Sequence, residues 1–554
     1  MIGAGLVRNF VSQVNTIKDA VLAVLAASGG SALVGFLQAG VGAVARTVQA
    51  KLRSTFSVQD FMTDAEIADA NNPAGPTNNK HSAAFAACFA AAIAAGAKRV
   101  WIPPVLGAYS VKDVEIPAGL TLQGKCSRPF NPATSADVLG EGSVILRATG
   151  GTAMFRWNKG ITVDGLVMHG IDKTVECFRV PAALEVGGAQ RVSRINIINC
   201  GLYGWSRGVG NFYYMQTCRI IGNQIAGNGM GVFGLVDCIV GNNFISFNDA
   251  QGVDQQNGAN DTQFFGNKVE WNGAENFRFG NSRNCSIDGD IIDRSGTAGI
   301  GIYESQVRVN PSVIRRSGRT NVGATYCAHI HINGATSDVS IGPLLTFTGA
   351  DDDATGSVTP SYGMTLEGVA AARVSMAGGS LKGAVTAGLL LNTVPVDCKL
   401  VGVSGVEDVV TTGLVQSRDG RRYFARSGSM NIAAGAVSAG LVVAAPPVNT
   451  FTGRSLKVRV ESRNASNGTL IVAEGTLAVV REGGGASVYF VQAPYQATVN
   501  AGVVTPATTL LGATAGETLQ LQFSAVAADA SAFTVAVKNN HATATQQVML
   551  TVLQ

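Results

Sequence analysis

RIIGNQIAGNG (residues 219–229), CIVGNNFISFND (238–249), FFGNKVEWNG (264–273) and SIDGDIIDRSG (286–296) are four variants of one phrase. Gly222, Gly241, Gly266 and Gly289 recur about every 22 residues, followed by Asn223, Asn242, Asn267 and Asp290. Short apolar runs at such a period mark a solenoid, whose coils bury their apolar faces only by stacking on one another. Two positions before each glycine stand Ile220, Ile239, Phe264 and Ile287, and three positions after it Ile225, Phe244, Val269 and Ile292. Alternation with polar residues makes these inward-facing strand positions. The glycine supplies a bend, and the Asn beside it tolerates the left-handed region and offers its amide to the next coil. Stacked copies predict an Asn ladder with Asp290 as its fourth member. Cys218 and Cys285 share another column, four before the glycine, which suits small buried side chains.

One further slot, four after the glycine, holds Ala226, Glu270 and Asp293. One extra residue in the second coil makes Ser246 its equivalent, and the following coil (VIRRSG) places Arg315 there. Each follows an inward apolar residue, so each is expected to face outward. Neighbouring strands lie about 4.8 Å apart, so Glu270 and Asp293 are expected one rung apart on one face.

The rest of the chain bounds the class. Of 554 residues only 14% are charged and 68 are Gly, which favours a β-rich solenoid with a large core. A net charge of +4 with no basic tract does not point to nucleic acid. Nine scattered cysteines, without CxxC or paired His, read as free buried thiols in a reducing compartment, and no structural zinc site is expected. Residues 20–45 carry no charge, yet Gly29, Gly30, Gly35, Gly40 and Gly42 interrupt them, so no membrane insertion is expected.

Residues 9–27 have helical spacing (Phe10, Val14, Ile17, Val21, Val24, Leu25), suited to bundling with copies of themselves. The next segment, 28–61, contains Leu33-Val34-Gly35-Phe36, Gly42-Ala43-Val44, Arg46-Thr47-Val48-Gln49, Lys51-Leu52-Arg53 and Ser57-Val58-Gln59-Asp60-Phe61. It resembles the neck of bacteriophage tailspikes and tail fibres over about 30 residues. Residues 77–123 follow, with an Ala-rich helix (Ser82–Ala95) stopped at Gly96, the strand Arg99–Ile102 and Pro103-Pro104. They resemble the cap of a pectate-lyase-like β-helix. The family's acidic Gly-Asp-Gly segment is replaced here by Met62–Asn72.

The resemblance implies a right-handed parallel β-helix and a homotrimer. The expected domains are 1–61 (helical virion-attachment and neck segment), 62–105 (cap), 106–420 (parallel β-helix) and 421–554 (C-terminal β-sandwich). Further coils are expected at Ile161–Gly170, Arg194–Gly201, Val339–Gly349, Arg373–Gly383 and Lys399–Val410. Beyond Arg426, alternating stretches such as Ser455–Glu461, Thr469–Val480 and Leu519–Phe523 with Gly-rich turns read as the sandwich. In tailspike-like proteins such a domain implies trimerisation or sugar binding.

Cleaving a glycosidic bond takes one carboxyl to protonate the leaving oxygen and a second as nucleophile or base. Glu270 is the candidate acid, beside Trp271, whose ring can stack on a sugar or desolvate the carboxyl. Asp293 is its partner one coil on. The plainer alternatives are a solvated Glu270 and an Asp293 paired with Arg294 or Arg315. The runs Glu270-Trp271-Asn272 and Asp293-Arg294-Ser295-Gly296 also resemble runs in polysaccharide-degrading tailspikes. A separation near 5 Å would favour retention and a wider one inversion. Asp254, Glu275 and Glu304, on the neighbouring side of the coils, are alternative second acids. Arg278, Arg294 and Arg315 are candidates to hold an acidic sugar, or to pair with those same acids. Tyr203, Trp205, Tyr213, Tyr214 and Tyr303 offer stacking faces. His329 and His331 share a strand face, and Asp351-Asp352-Asp353 is an acidic loop run; neither makes a metal site expected. No cofactor is expected.

The resemblance implies a tailspike on the virion, at the phage tail, assembled in the host cytoplasm. It would bind and depolymerise a bacterial surface polysaccharide (capsule, exopolysaccharide or O-antigen) as an endo-glycosidase. Its partners would be that polysaccharide, two further copies of itself, and the tail, baseplate or another tailspike through its N-terminus. The rivals are a polysaccharide lyase using Lys268, Arg294 or Tyr303, and a binding-only tail fibre.

Overall fold

A computed structural model of the chain describes residues 3–27, 34–36, 46–47, 56–182, 192–211, 215–256, 258–320, 323–343, 346–347, 360–369, 372–392, 397–401, 403–404 and 409–411, and beyond these only strands between 424 and 553. The chain divides into two compact units, residues 1–171 with 177–201, and residues 172–176 with 202–554.

The first unit begins with the helix Gly3–Ala26, on which Phe10, Val14, Ile17, Val21 and Val24 are all exposed. The strands Gly35–Phe36 and Arg46–Thr47 pair antiparallel; most of the neck-like residues lie outside the described ones. Thr63 caps the short helix Asp64–Ala70 through a capping box with Glu66. The helix Ser82–Ala94 ends before Gly96, whose φ of +68° is the left-handed stop. Its buried face (Phe85, Cys88, Phe89, Ala92) closes the end of the coil, Phe85 packing on Tyr109 at 5.5 Å and on Phe155 at 6.0 Å. Phe56–Ser57, Arg99–Trp101, Thr121–Gln123, Thr162–Asp164 and Asn196–Ile198 form one in-register parallel sheet. Tyr109–Val111, Val144–Arg147 and Val167–His169 form another.

The second unit carries the quoted repeats as a parallel β-helix with three strands per coil. The first sheet stacks Arg219–Ile221, Ile239–Gly241, Gln263–Phe265, Cys285–Asp288 and Gln306–Asn310. The second stacks Gln224–Ala226, Phe244–Ser246, Lys268–Glu270, Ile291–Asp293 and Val313–Arg315. The third stacks Met230–Phe233, Val253–Gln256, Phe277–Gly280, Ile300–Tyr303, Ala328–Asn333, Tyr362–Glu367 and Ala387–Leu391. Each sheet sends one apolar column inward: Ile220, Val240, Phe264 and Ile287 from the first, Ile225, Ile245, Val269 and Ile292 from the second, all fully buried. Burying each such side chain contributes about 1.5–3 kcal/mol, so cohesion is repeated coil by coil.

The second coil corrects the expected register by one residue. The left-handed column runs Gly222, Asn242, Gly266, Gly289, with φ of +69°, +53°, +61° and +70°. Asn242, not Gly241, makes the bend, because Asn is the side-chain-bearing residue that best tolerates this region. Gly241 is a strand residue opposite Ile221 and Phe265. Val240 and Ile245 consequently replace Ile239 and Phe244 as the inward residues, and Ile239 is exposed. The ladder is Asn223, Asn243, Asn267, Asp290. Asn223 Nδ2 donates to Asn243 Oδ1 (2.9 Å), Asn243 Nδ2 to Asn267 Oδ1 (2.9 Å) and Asn267 Nδ2 to Asp290 Oδ1 (2.7 Å). Burial pushes the Asp290 carboxyl up to about 7, against the lowering hydrogen bonds from Asn267. A second ladder, Asn228, Asn248 and Asn272, closes the turn between the second and third sheets.

Beyond residue 411 the strands run antiparallel in two sheets. One contains Arg454–Asn464, Leu470–Glu482, Gly485–Asn500 and Gln546–Leu553; the other contains Leu441–Ala444, Leu519–Ala525 and Ala532–Asn539. None of the described helices is long and apolar enough to cross a membrane.

Candidate active site

Two groups of carboxylates stand on the outer side of the coils, one on the second sheet and one on the third. On the second sheet, Ala226, Ser246, Glu270, Asp293 and Arg315 pair rung to rung, so the expected register of Glu270 and Asp293 is present. The expected openness is not: Glu270 is 4% exposed and Asp293 0%. Asp293 is enclosed by guanidinium groups. Arg294 Nη1 and Arg315 Nε each donate to Oδ2 at 3.0 Å, Arg316 Nε donates to Oδ1 at 2.9 Å, and Arg316 Nη2 also reaches Oδ2. Glu270 pairs with the half-exposed Lys268 (Nζ to Oε1, 3.1 Å), which lies over the Phe244 ring at 4.8 Å. A carboxylate gripped by three arginines has its acceptor positions filled.

The residue after each member of this slot is left-handed: Gly227 (+62°), Phe247 (+53°), Trp271 (+55°), Arg294 (+48°) and Arg316 (+49°). Glycine takes this conformation freely, whereas a side chain there costs roughly 1–2 kcal/mol. The aromatic pair stacks, Phe247 on Trp271, with centroids 6.1 Å apart and planes within 8°. Arg294 covers the Trp271 ring at 4.6 Å and Arg319 approaches it at 5.7 Å.

On the third sheet, Asp254, Arg278, Gly301 and His331 pair across successive coils, and so do Gly280, Tyr303 and Asn333. Gly301 has no side chain, and the Tyr303 ring folds over it: an added Cβ there would lie 2.8 Å from the ring and 3.2 Å from Glu275 Cγ. Tyr303 thereby donates its hydroxyl to Glu275 Oε1 at 2.9 Å, while Gln251 Nε2 donates to Oε2 at 3.2 Å. Asp254 is fully buried; its Oδ2 accepts from Gln256 and lies 3.7 Å from Arg278 Nη1, while its Oδ1 has no hydrogen-bond partner. Burial pushes its carboxyl up to about 6, against the hydrogen bond from Gln256 and the charge of Arg278, with the nearby Glu275 adding to the rise. Arg278 lies 5.5 Å from the Tyr303 ring, and His331 lies 5.6 Å from it on the other side of the cluster.

The remaining candidates are placed elsewhere. Glu304 accepts from the Ala335 and Thr336 amides (2.9 and 2.7 Å) and the Thr336 hydroxyl, bonds that hold its carboxyl below the usual range and tie it to a turn. Tyr203 and Trp205 are core residues with no exposed face. His329 and His331 bond separately to Ser317 (3.1 Å) and Thr365 (2.7 Å), and burial drives the His329 imidazole down to about 3. Tyr213, Tyr214 and Asp351–Asp353 lie outside the described residues. Among the described residues, no group of three or more His, Cys, Asp or Glu side chains is arranged to hold a metal ion. Gln251, Gln256, Phe247, Arg316 and Arg319 join these clusters without having been singled out in the sequence. Phe247 and Arg316 were detectable as the column after the slot; Gln251, Gln256 and Arg319 carry no periodic signal.

No known family model matches the chain. Among solved structures it is similar to the A-module of the Azotobacter vinelandii mannuronan C-5 epimerase AlgE6 (16% identity, 63% of this chain and 99% of that one, TM-score 0.42). It is similar to the enzymatically active domain of tailspike protein 2 of bacteriophage CBA120 (13% identity, 85% and 77% covered, TM-score 0.41). It is similar to a mutant tailspike protein of E. coli bacteriophage HK620 in complex with a hexasaccharide (9% identity, 97% and 99% covered, TM-score 0.40). At such identities no residue role is carried across.

Proposed function

We propose that the chain is a phage tailspike that binds a bacterial surface polysaccharide and cleaves it by endo-glycosidic hydrolysis, with Asp254 as general acid and Glu275 as the second carboxylate. The observation that carries the catalytic reading is the pairing of two unlike carboxyls on the third sheet. Asp254 is raised to about 6 and keeps one oxygen unpartnered. Glu275 is oriented by Tyr303 and Gln251. A buried, raised carboxyl near a second carboxyl held by hydrogen-bond donors suits an acid and its partner. The groups touching the Asp254 carboxyl are the half-buried side chains of Gln256 and Arg278, which a glycan hydroxyl can replace. Glu270 and Asp293 are the competing pair; Lys268 and three arginines already engage them.

The tailspike part of the reading rests on the neck-like and cap-like sequences and on the exposed stripe Phe10, Val14, Ile17, Val21, Val24, whose alternating steps of four and three suit a self-associating coiled coil. Three such helices would form the trimer's attachment end, the antiparallel sheets beyond residue 411 would form a sandwich, and the protein would sit on the virion.

One observation favours a second reading, a lyase. Arg278 beside Tyr303 resembles what β-elimination needs: a cation for a uronate carboxylate and a phenolate to remove the neighbouring proton. Burial and the adjacent Glu275 carboxylate raise the Tyr303 phenol, however, and so disfavour the phenolate. Mass spectrometry of digested capsule or lipopolysaccharide separates the readings. Hydrolysis leaves a saturated reducing end with one added water, elimination leaves an unsaturated uronate, and an intact polymer under bound protein identifies a binding-only fibre.

A further inference from the structure

We infer that Gly301 is a positioning residue of the third-sheet carboxyl pair: the side chain it lacks is the space through which Tyr303 reaches Glu275 and fixes that carboxylate. The inference rests on the reading that Asp254 and Glu275 cleave the glycan, and it adds to that reading what holds the second carboxylate in place.

The backbone supplies the first argument. A glycine inside a strand weakens it, and marks either a bend or the close approach of another group. Gly301 is not at a bend. It lies within the strand Ile300–Tyr303, pairs in register with Arg278 on one side and His331 on the other, and has no left-handed φ. What it admits is the Tyr303 side chain. A Cβ at 301 would stand 2.8 Å from the ring, 3.0 Å from the hydroxyl and 3.2 Å from Glu275 Cγ. An alanine there and the present Tyr303–Glu275 hydrogen bond therefore compete for one place. Gly280 gives the contrast. It pairs with Tyr303 itself in the neighbouring column, yet a Cβ on it would meet nothing nearer than Gln256 Cγ at 3.7 Å, an ordinary contact.

The walls of the gap are the second argument. Arg278 and His331 flank the empty position along its column, 5.5 and 5.6 Å from the Tyr303 ring. His331 is buried and anchored by the Thr365 hydroxyl at 2.7 Å, and Arg278 is drawn toward Asp254 at 3.7 Å. Burial holds the His331 imidazole below its ordinary range, against the pull of the Glu367 and Glu275 carboxylates, so the ring that faces Tyr303 is a neutral one. Burial and the Glu275 charge raise the Tyr303 phenol, which therefore keeps its proton and donates it to Oε1, while Gln251 donates to Oε2. Glu275 is thus held by two uncharged donors, one from the preceding coil and one from the following coil. Attack on a glycosidic carbon needs this fixity, because a displacement of about 1 Å costs on the order of a hundredfold in rate.

The test uses the full chain and the polymer that it depolymerises fastest from a panel of purified bacterial capsules and lipopolysaccharides, read by the release of new reducing ends. Gly301→Ala and Tyr303→Phe should each lower kcat about tenfold to a hundredfold with KM little changed. The double variant should be no worse than either single one, because the added methyl then displaces a ring that no longer binds Glu275. Gly280→Ala should be silent. Gly301→Ala should also melt like the parent chain, since the atoms it displaces are the free end of one side chain; if it does not, Tyr303→Phe, which keeps the ring and removes only the hydroxyl, decides the matter. Full activity in Gly301→Ala or Tyr303→Phe, or losses that multiply in the double variant, overturns the inference, and the proposed function still stands where Glu275→Gln is inactive. Full activity in Glu275→Gln removes the catalytic pair from the third sheet, and the role of Gly301 with it. Failure to depolymerise any of the panel does the same.

Discussion

The second-sheet and third-sheet carboxylates share a scaffold but are held in opposite ways. Asp293 is saturated with arginines, whereas Asp254 is buried with one oxygen unpartnered. The first arrangement fills the acceptor positions of its carboxylate; the second leaves one oxygen open. Under the proposed function, what would separate a structural acid from a chemical one is the number of donors its neighbours supply, since both are equally hidden from water.

Substitutions sharpen the contrast. Asp254→Asn and Glu275→Gln should each lower kcat by about 10²–10⁴-fold on the cognate polysaccharide, while Glu270→Gln should change it by less than about tenfold. The release of new reducing ends measures this, and the reverse ranking would move the chemistry to the second sheet. Stability should respond the other way. Asp293→Asn leaves three guanidiniums around a neutral group and should destabilise the fold by about 3–5 kcal/mol, read as a lowered denaturation midpoint. Asp254→Asn, which removes a poorly satisfied buried acid, should leave the midpoint unchanged or higher.

The pH dependence follows the raised carboxyls. Asp254 must hold its proton to act as an acid, so kcat/KM should fall about tenfold per unit as pH rises past about 6. The same shift links to stability. An acid raised on folding keeps its proton in the native state when the unfolded chain has lost it, so its stabilisation is complete below the unfolded value of 3.8 and is lost as pH rises through the folded one. Asp254 should contribute such a loss up to about 6 and Asp290 up to about 7. The smallest effect expected is in Asp290→Asn. Asn243 and Asn267 donate to Ile220 and Val240 carbonyls; the new amide can repeat that pattern and flatten the upper part of the pH profile. A melting curve at several pH values tests it, and an unchanged profile would exclude Asp290 as its source.

Much of the coil was legible because stacking repeats the same demand. Inward Ile225, Val269 and Ile292, the glycine bends and the Asp290 end of the ladder all follow from a column of like residues. The one misplaced coil, at Gly241-Asn242-Asn243, was ambiguous because Asn serves as well in the bend as in the ladder. The site was less legible. Periodicity located Glu270 and Asp293 on adjacent rungs, but it is blind to Arg316 folding back onto Asp293 and to Tyr303 crossing Gly301 to reach Glu275. Those contacts depend on side-chain length and rotamer, and on a missing side chain in the intervening strand, none of which has a period.

The unequal coils have a consequence for how such a molecule varies. Successive ladder members stand 20, 24 and 23 residues apart, yet the ladder continues and the strand registers above and below are undisturbed. Length change is therefore insulated within a single storey. Outer loops can be lengthened or traded while the stack beneath them continues to fold, and the outer surface can be remodelled without rebuilding the column that supports it.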